Sequence, residues 1–172
     1  FFIWIFGESE TVFRLPSFLA GVISVPLTYR LGLAIKMSWP SALTSAVLMG
    51  VSWPHFKYSL EGRGYGLTIF LVLLATYAAV HFLNSSRWQW GSILIGTGFA
   101  LAVALPSNLF FLAGLAVFTI LASCLELRES RLFAKTIFRV SVSFLIMFAL
   151  IGIYFLTIYE GLKLGKGLHP LP

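Results

Sequence analysis

The sequence predicts an all-α protein, a polytopic transmembrane bundle of about six helices. Composition is the first reason: 59% of the 172 residues are hydrophobic and 10% are charged, with a mean hydropathy of +0.93. A soluble domain carries about 25% charged residues and uses them to cover its surface. Here most faces would meet water with apolar side chains, so lipid is the solvent. The second reason is pattern. The apolar runs are long and lack the period-two alternation of a barrel. In hydrocarbon each backbone N–H and C=O must be paired internally, which leaves helices.

Residues 1–13 (Phe1, Phe2, Trp4, Ile5 and Phe6 ahead of Gly7-Glu8-Ser9-Glu10) form a short aromatic stretch suited to the membrane interface. A first spanning helix is expected near 15–35, with Pro16 in its first turn, where a missing N–H costs nothing. A second segment, 40–54, is short and rich in Ala, Ser and Val, which suggests a place inside the bundle. The polar stretch from His55 to Tyr65 connects it to a helix near 65–84. Trp88 and Trp90 mark an interface. A helix near 89–105 follows, with Gly91, Gly96 and Gly98 offering a close-packing face. Pro106-Ser107-Asn108 turns into a helix near 109–125, Glu126 to Arg139 is the longest loop, and the last helix covers about 140–159.

The chain opens without Met or a charged n-region, which is not a signal peptide. It closes on Gly167-Leu168-His169-Pro170, so both ends read as cut from a longer protein. Cys124 lies within an apolar run and reads as a small packing residue; a lone Cys builds no disulfide. No spacing of His, Cys and carboxylates resembles a metal site.

Twelve Lys and Arg stand against six acids, all of them Glu, for a net charge of +6. No segment forms a soluble basic face, so nucleic acid is not the expected partner. The charge belongs to loops that set topology. One end of the bundle holds Arg30, Lys36, Arg87, Arg128, Arg131, Lys135 and Arg139, seven basic residues against five at the other end. That modest bias places the seven in the cytoplasm.

The outward end gathers His55, Lys57, Tyr58, Glu61, Arg63 and Tyr65 within a few residues. Such side chains bind phosphate and handle protons, and ionisable groups at a membrane edge need partners or water. An ordinary interfacial loop explains the same residues: Lys and Arg snorkel, Tyr anchors, and Glu sits by a helix N-terminus. Arg14 sits at the same end. Its guanidinium suits a phosphate at headgroup level, or a snorkelling anchor. His81 reads as an interfacial residue.

The ordered set Phe6-Gly7-Glu8-Ser9-Glu10, Arg14-Leu15-Pro16-Ser17, Gly21, Pro54-His55-Phe56, Tyr58-Ser59 and Glu61-Gly62-Arg63-Gly64-Tyr65 resembles the GT-C membrane glycosyltransferases. The similar branch holds the aminoarabinose transferase of lipid A and the protein O-mannosyltransferases. The match covers residues 6–65, with Gly62 where Ala is commoner. On this resemblance, 1–172 is a partial transmembrane glycosyltransferase domain. It implies a polyprenyl-phosphate-linked sugar donor, a membrane-lipid setting, and inverting transfer to an acceptor on the outer face; separately, the lack of further features leans to a bacterial inner membrane. It also implies substrate binding by Arg14, Glu61, Arg63 and Tyr65, beside Tyr58, His55 and Lys57. The family's catalytic Asp would lie before Phe1, and this chain has no Asp, so no catalytic residue is assigned within it. No cofactor is assigned, and a divalent metal is left open. A transporter or permease segment and a non-catalytic membrane subunit are the other readings. A transporter would more naturally show internal repetition, and neither the Arg-Leu-Pro-Ser nor the Glu-Gly-Arg-Gly-Tyr pattern recurs.

Overall fold

A computed structural model of the chain describes residues 10–61, 64–85, 87–126 and 133–167. Among these lie seven helices: α1 (Glu10–Ala34), α2 (Trp39–Val51), α3 (Trp53–Leu60), α4 (Tyr65–Ser85), α5 (Trp88–Ala104), α6 (Asn108–Glu126) and α7 (Phe133–Gly167). The bundle is all-helical as expected, and the described residues contain no strand.

Three helical stretches, Arg14–Ala34, Tyr65–Ser85 and Thr136–Gly161, are long and apolar enough to cross a membrane. At 1.5 Å per residue the first covers about 30 Å, the thickness of the hydrocarbon core. Large apolar side chains face outward on most helices, with Phe110 85% exposed. In water that surface would drive aggregation, whereas in lipid it is the ordinary exterior.

Contacts between the helices fix their directions, with α2 and α3 both running back along α1. Thr28 touches Met49 and Gly32 abuts Ala42, so α1 and α2 form an antiparallel hairpin. Ser17 meets Gly66 at one end, while Ala34 and Val80 line one groove at the other, so α1 and α4 run parallel. The main core is formed by α4 to α7 around Phe82, Leu94, Leu101, Leu112 and Met147, all essentially inaccessible. Buried hydroxyls bond carbonyls of their own helix: Ser24 donates to Ala20 (2.7 Å), Ser123 to Thr119 (2.8 Å) and Ser143 to Arg139 (2.9 Å). Where no water reaches, a hydroxyl needs such a partner. The expected turn at 106–108 is present, with Asn108 Nδ2 donating to the Leu101 carbonyl at 2.9 Å.

Several expectations are corrected. Helix α1 starts at Glu10, so Pro16 lies well inside it and not in the first turn. The interfacial reading of residues 1–13 falls largely on 1–9, outside the described residues; the backbone of 10–13 continues α1. Most of the 55–65 connection is helix α3. Ser52, extended at φ −67° and ψ 120°, breaks the chain, and Pro54 in the next first turn costs no hydrogen bond. The last helix begins at Phe133 and runs to Gly167, longer than expected at both ends.

Helix α2 is peripheral, not interior. Ala42 and Ala46 pack against α1, while Leu48 and Val51 are exposed. Small residues there let one face approach α1 closely, and the remaining faces are apolar because lipid is. In α5 a Cβ on Gly91 would press on Ser143 and Phe82, and one on Gly98 would strike Met147, yet Gly96 has open space. Positions 91 and 98 are two turns apart on one face; 96 is off it. Cys124 is exposed and fills no core space. His81 stacks on Trp90 at 4.6 Å and lies against Tyr77 at 4.3 Å, which gives it a packing role between α4 and α5.

Candidate functional site

The charged edge is assembled where α1 begins, α3 ends and α4 begins. Helix α3 is held flat on α1 by small residues. Ser17, Ala20, Gly21 and Ser24 are buried along one stripe of α1, at the three- and four-residue spacings that let helices approach. A Cβ on Gly21 would fall 2.6 Å from the Cβ of Ser59, inside any permitted contact. On the far side of Ser59, a Cβ on Gly66 would sit 2.9 Å from the Ser17 carbonyl and 3.1 Å from the Ser59 Cα. Three backbones therefore meet around one serine.

His55 fixes the same joint. Its imidazole is 9% exposed, and Nε2 lies 3.1 Å from the Gly21 carbonyl. Because a carbonyl only accepts, Nε2 carries the proton. Nδ1 is buried without a hydrogen-bond partner among the described residues. The Ser59 hydroxyl donates to the His55 carbonyl at 2.7 Å.

With α3 docked, its C-terminal end reaches Arg14. Arg14 Nη1 donates to the Leu60 carbonyl at 3.3 Å, across 46 residues of sequence. A helix-terminal carbonyl lacks an intrahelical donor and carries partial negative charge, so a guanidinium suits it. Glu61, the next residue, caps α3 and lies 3.6 Å from Lys57 Nζ, one turn back. Lys57 is 53% exposed, so this pair adds less than about 1 kcal/mol of stability. Its effect is on the local field. Gly64, at φ +78°, occupies the left-handed region and reverses the chain into α4, where Thr68 N bonds the Gly64 carbonyl at 2.8 Å. That reversal lays Tyr65 beside Tyr58, ring centroids 5.3 Å apart, with both rings exposed.

The structure thus brings Arg14, Lys57, Tyr58, Glu61 and Tyr65 to one exposed edge. His55 belongs to the joint beneath it, bonded to the Gly21 carbonyl within the helix interface, and also lines the cleft there. Arg63 lies outside the described residues. Below the edge, an apolar cleft of about 220 Å³ runs between α1 and α3, lined by Phe18, Gly21, Val22, Val25, Phe56 and Leu60, among others. Among the described residues no three His, Cys or carboxylate groups lie together. Sequence reasoning missed Ser17, Ser59 and Gly66 as the residues that set the edge. The small-residue spacing from Ser17 through Gly21 to Ser24 was the available signal.

One end of the membrane bundle thus presents a cationic group, a carboxylate and exposed tyrosines, a set able to meet a polar or anionic group at the membrane edge. Residues 1–159 match the family model of the dolichyl-phosphate-mannose-protein mannosyltransferases, and the chain belongs to that family. It is a membrane glycosyltransferase chain of GT-C type. Neither the curated proteins nor the solved structures compared with it gave a match.

Proposed function

We propose that this chain supplies the donor-phosphate side of a glycosyl transfer, in which a polyprenyl-phosphate monosaccharide gives its sugar to an acceptor hydroxyl at the outer membrane face. The acceptor oxygen bonds the anomeric carbon as the bond from that carbon to the phosphate oxygen breaks. The electron pair leaves with the polyprenyl phosphate, and the acceptor proton passes to a carboxylate. Charge builds on the departing phosphate, and a fixed guanidinium in a medium poorer in water than bulk stabilises it.

Arg14 is assigned to that phosphate, with Arg63 as its partner. Glu61 orients a sugar or acceptor hydroxyl, with the Lys57 ammonium one helical turn back at 3.6 Å. Tyr58 and Tyr65 offer ring faces and hydroxyls to the sugar. The family resemblance assigns the general base to an Asp, and no Asp occurs in these 172 residues. The seven basic residues at the opposite end, against five here, support an outward-facing site.

The observation that carries this reading is the Arg14 bond to Leu60, which fixes a cationic head one residue from Glu61, at the level where α1 leaves the apolar layer. The test is transfer from a polyprenyl-phosphate sugar by the full-length protein in membranes. Arg14→Ala should lower the rate at least about tenfold, or roughly 1.4 kcal/mol of barrier. A wild-type rate in Arg14→Ala at normal expression would remove the assignment.

A further inference from the structure

The opposite end of the bundle carries a second groove, built from other residues. Helices α1 and α6 both pack on α4 or beside it but do not touch each other among the described residues. The gap between them forms a groove of about 190 Å³. Val80 and Leu83 form its floor, Ile35 and Phe118 its walls, and Lys36 and Asn84 its polar mouth. Neither the Lys36 ammonium nor the Asn84 side-chain amide has a partner among the described residues.

Lys36 is also the one non-glycine at positive φ among the described residues, at +63°. It closes α1 in the position that glycine usually takes. Lys36 N bonds the Leu33 carbonyl and Met37 N bonds the Gly32 carbonyl, each at 3.0 Å. Glycine would adopt this left-handed conformation without steric cost, whereas lysine does not. Such a conformation persists where the surrounding structure holds it, as these two backbone bonds do, and it marks the spot as a place to look for function.

We propose that this groove binds the phosphate headgroup of an anionic membrane phospholipid, with Lys36 and Asn84 on the phosphate and the first part of an acyl chain against Ile35, Val80 and Phe118. Charge complementarity selects this occupant. Among the described side chains this end holds the cations Arg30, Lys36, Arg87 and Arg139, while the backbone of α6 ends here on one acid, Glu126. The groove opens where the spans Arg14–Ala34 and Tyr65–Ser85 end, the depth of the headgroups. Helix C-termini here oppose an anion with at most about half a charge each. Part of that is offset, because the Gly32, Leu33 and His81 carbonyls already accept hydrogen bonds.

The test is native mass spectrometry of the full-length protein in detergent micelles carrying phosphatidylglycerol or phosphatidylcholine, paired with thermal unfolding. The wild type should retain phosphatidylglycerol at least fivefold over phosphatidylcholine and be stabilised by it. Lys36→Gly removes the ammonium and relaxes the backbone, so it should lose the preference while unfolding no earlier than wild type in lipid-free detergent. Lys36→Gln is the second variant and should lose the preference also. Equal retention of both lipids by the wild type, or an undiminished preference in both variants, overturns the proposal. So does equal stabilisation by inorganic phosphate alone, or a dimer that Phe118→Ala dissolves, since each assigns the groove to another occupant.

Discussion

Gly21 and Ser59 interlock so closely that a single methyl group on Gly21 would come within 2.6 Å of the Ser59 Cβ. This contact seats α3 on α1, and that seating carries the chain from Arg14 to Glu61. Gly21→Ala should therefore destabilise the protein by about 1–3 kcal/mol through overpacking. Ser59→Gly should recover part of the loss when combined with it. Thermal unfolding of the two single variants and the double variant in detergent measures the coupling, and strict additivity would contradict the interlock.

His55 makes the one described side-chain hydrogen bond from α3 to the α1 backbone apart from the bond Arg14 sends the other way. Losing such a bond costs about 1 kcal/mol. His55→Ala should lower the unfolding temperature and reduce transfer together. His55→Gln, which can present an amide N–H to Gly21, should recover more of both. A variant with wild-type stability but no transfer would instead make His55 a group that meets substrate.

Tyr58 and Tyr65 test whether rings or hydroxyls matter at the edge. Tyr65→Phe keeps the ring contact at 5.3 Å, and Tyr65→Ala removes it, at about 0.5–1.5 kcal/mol for the aromatic pair. Transfer kinetics that fall equally in both variants would assign the effect to the hydroxyl. A fall in Tyr65→Ala alone would assign it to packing.

The glycines of α5 offer a contrast within one helix. Gly98→Ala should destabilise by about 1–3 kcal/mol, because the new methyl meets Met147. Gly96→Ala meets open space and should instead stabilise by about 0.5–1 kcal/mol through helix propensity. Unfolding temperatures of the two variants should move in opposite directions.

The long helices were legible because an apolar run of membrane length has few other structures open to it. Which side of a helix meets protein was not legible, since lipid and protein interior select the same side chains. That is why α2, with Ala42 and Ala46 packed and Val51 exposed, looked interior, and why Gly96 resembled its neighbours. Helix α3 was hidden for another reason. It is eight residues long and polar, too short for a periodic signal, although Ser52 and Pro54 repeat the start that Ser38 and Pro40 give α2. The charged edge was legible as a list of residues but not as a shape. Glu61 and Arg14 carry their own chemistry in the sequence. The joint of Ser17, Gly21, His55, Ser59 and Gly66 shows itself only when three helices are brought together.

The most direct measurement is a double-mutant cycle on Arg14 and Glu61 in the full-length protein, read as the rate of sugar transfer from a polyprenyl-phosphate donor. If both side chains serve one substrate, Arg14→Ala and Glu61→Gln each slow transfer at least about tenfold. The double variant then falls well short of the product of the two losses. Wild-type rates in both single variants, with unchanged expression and unfolding temperature, would show that this edge is only where the helices leave the membrane.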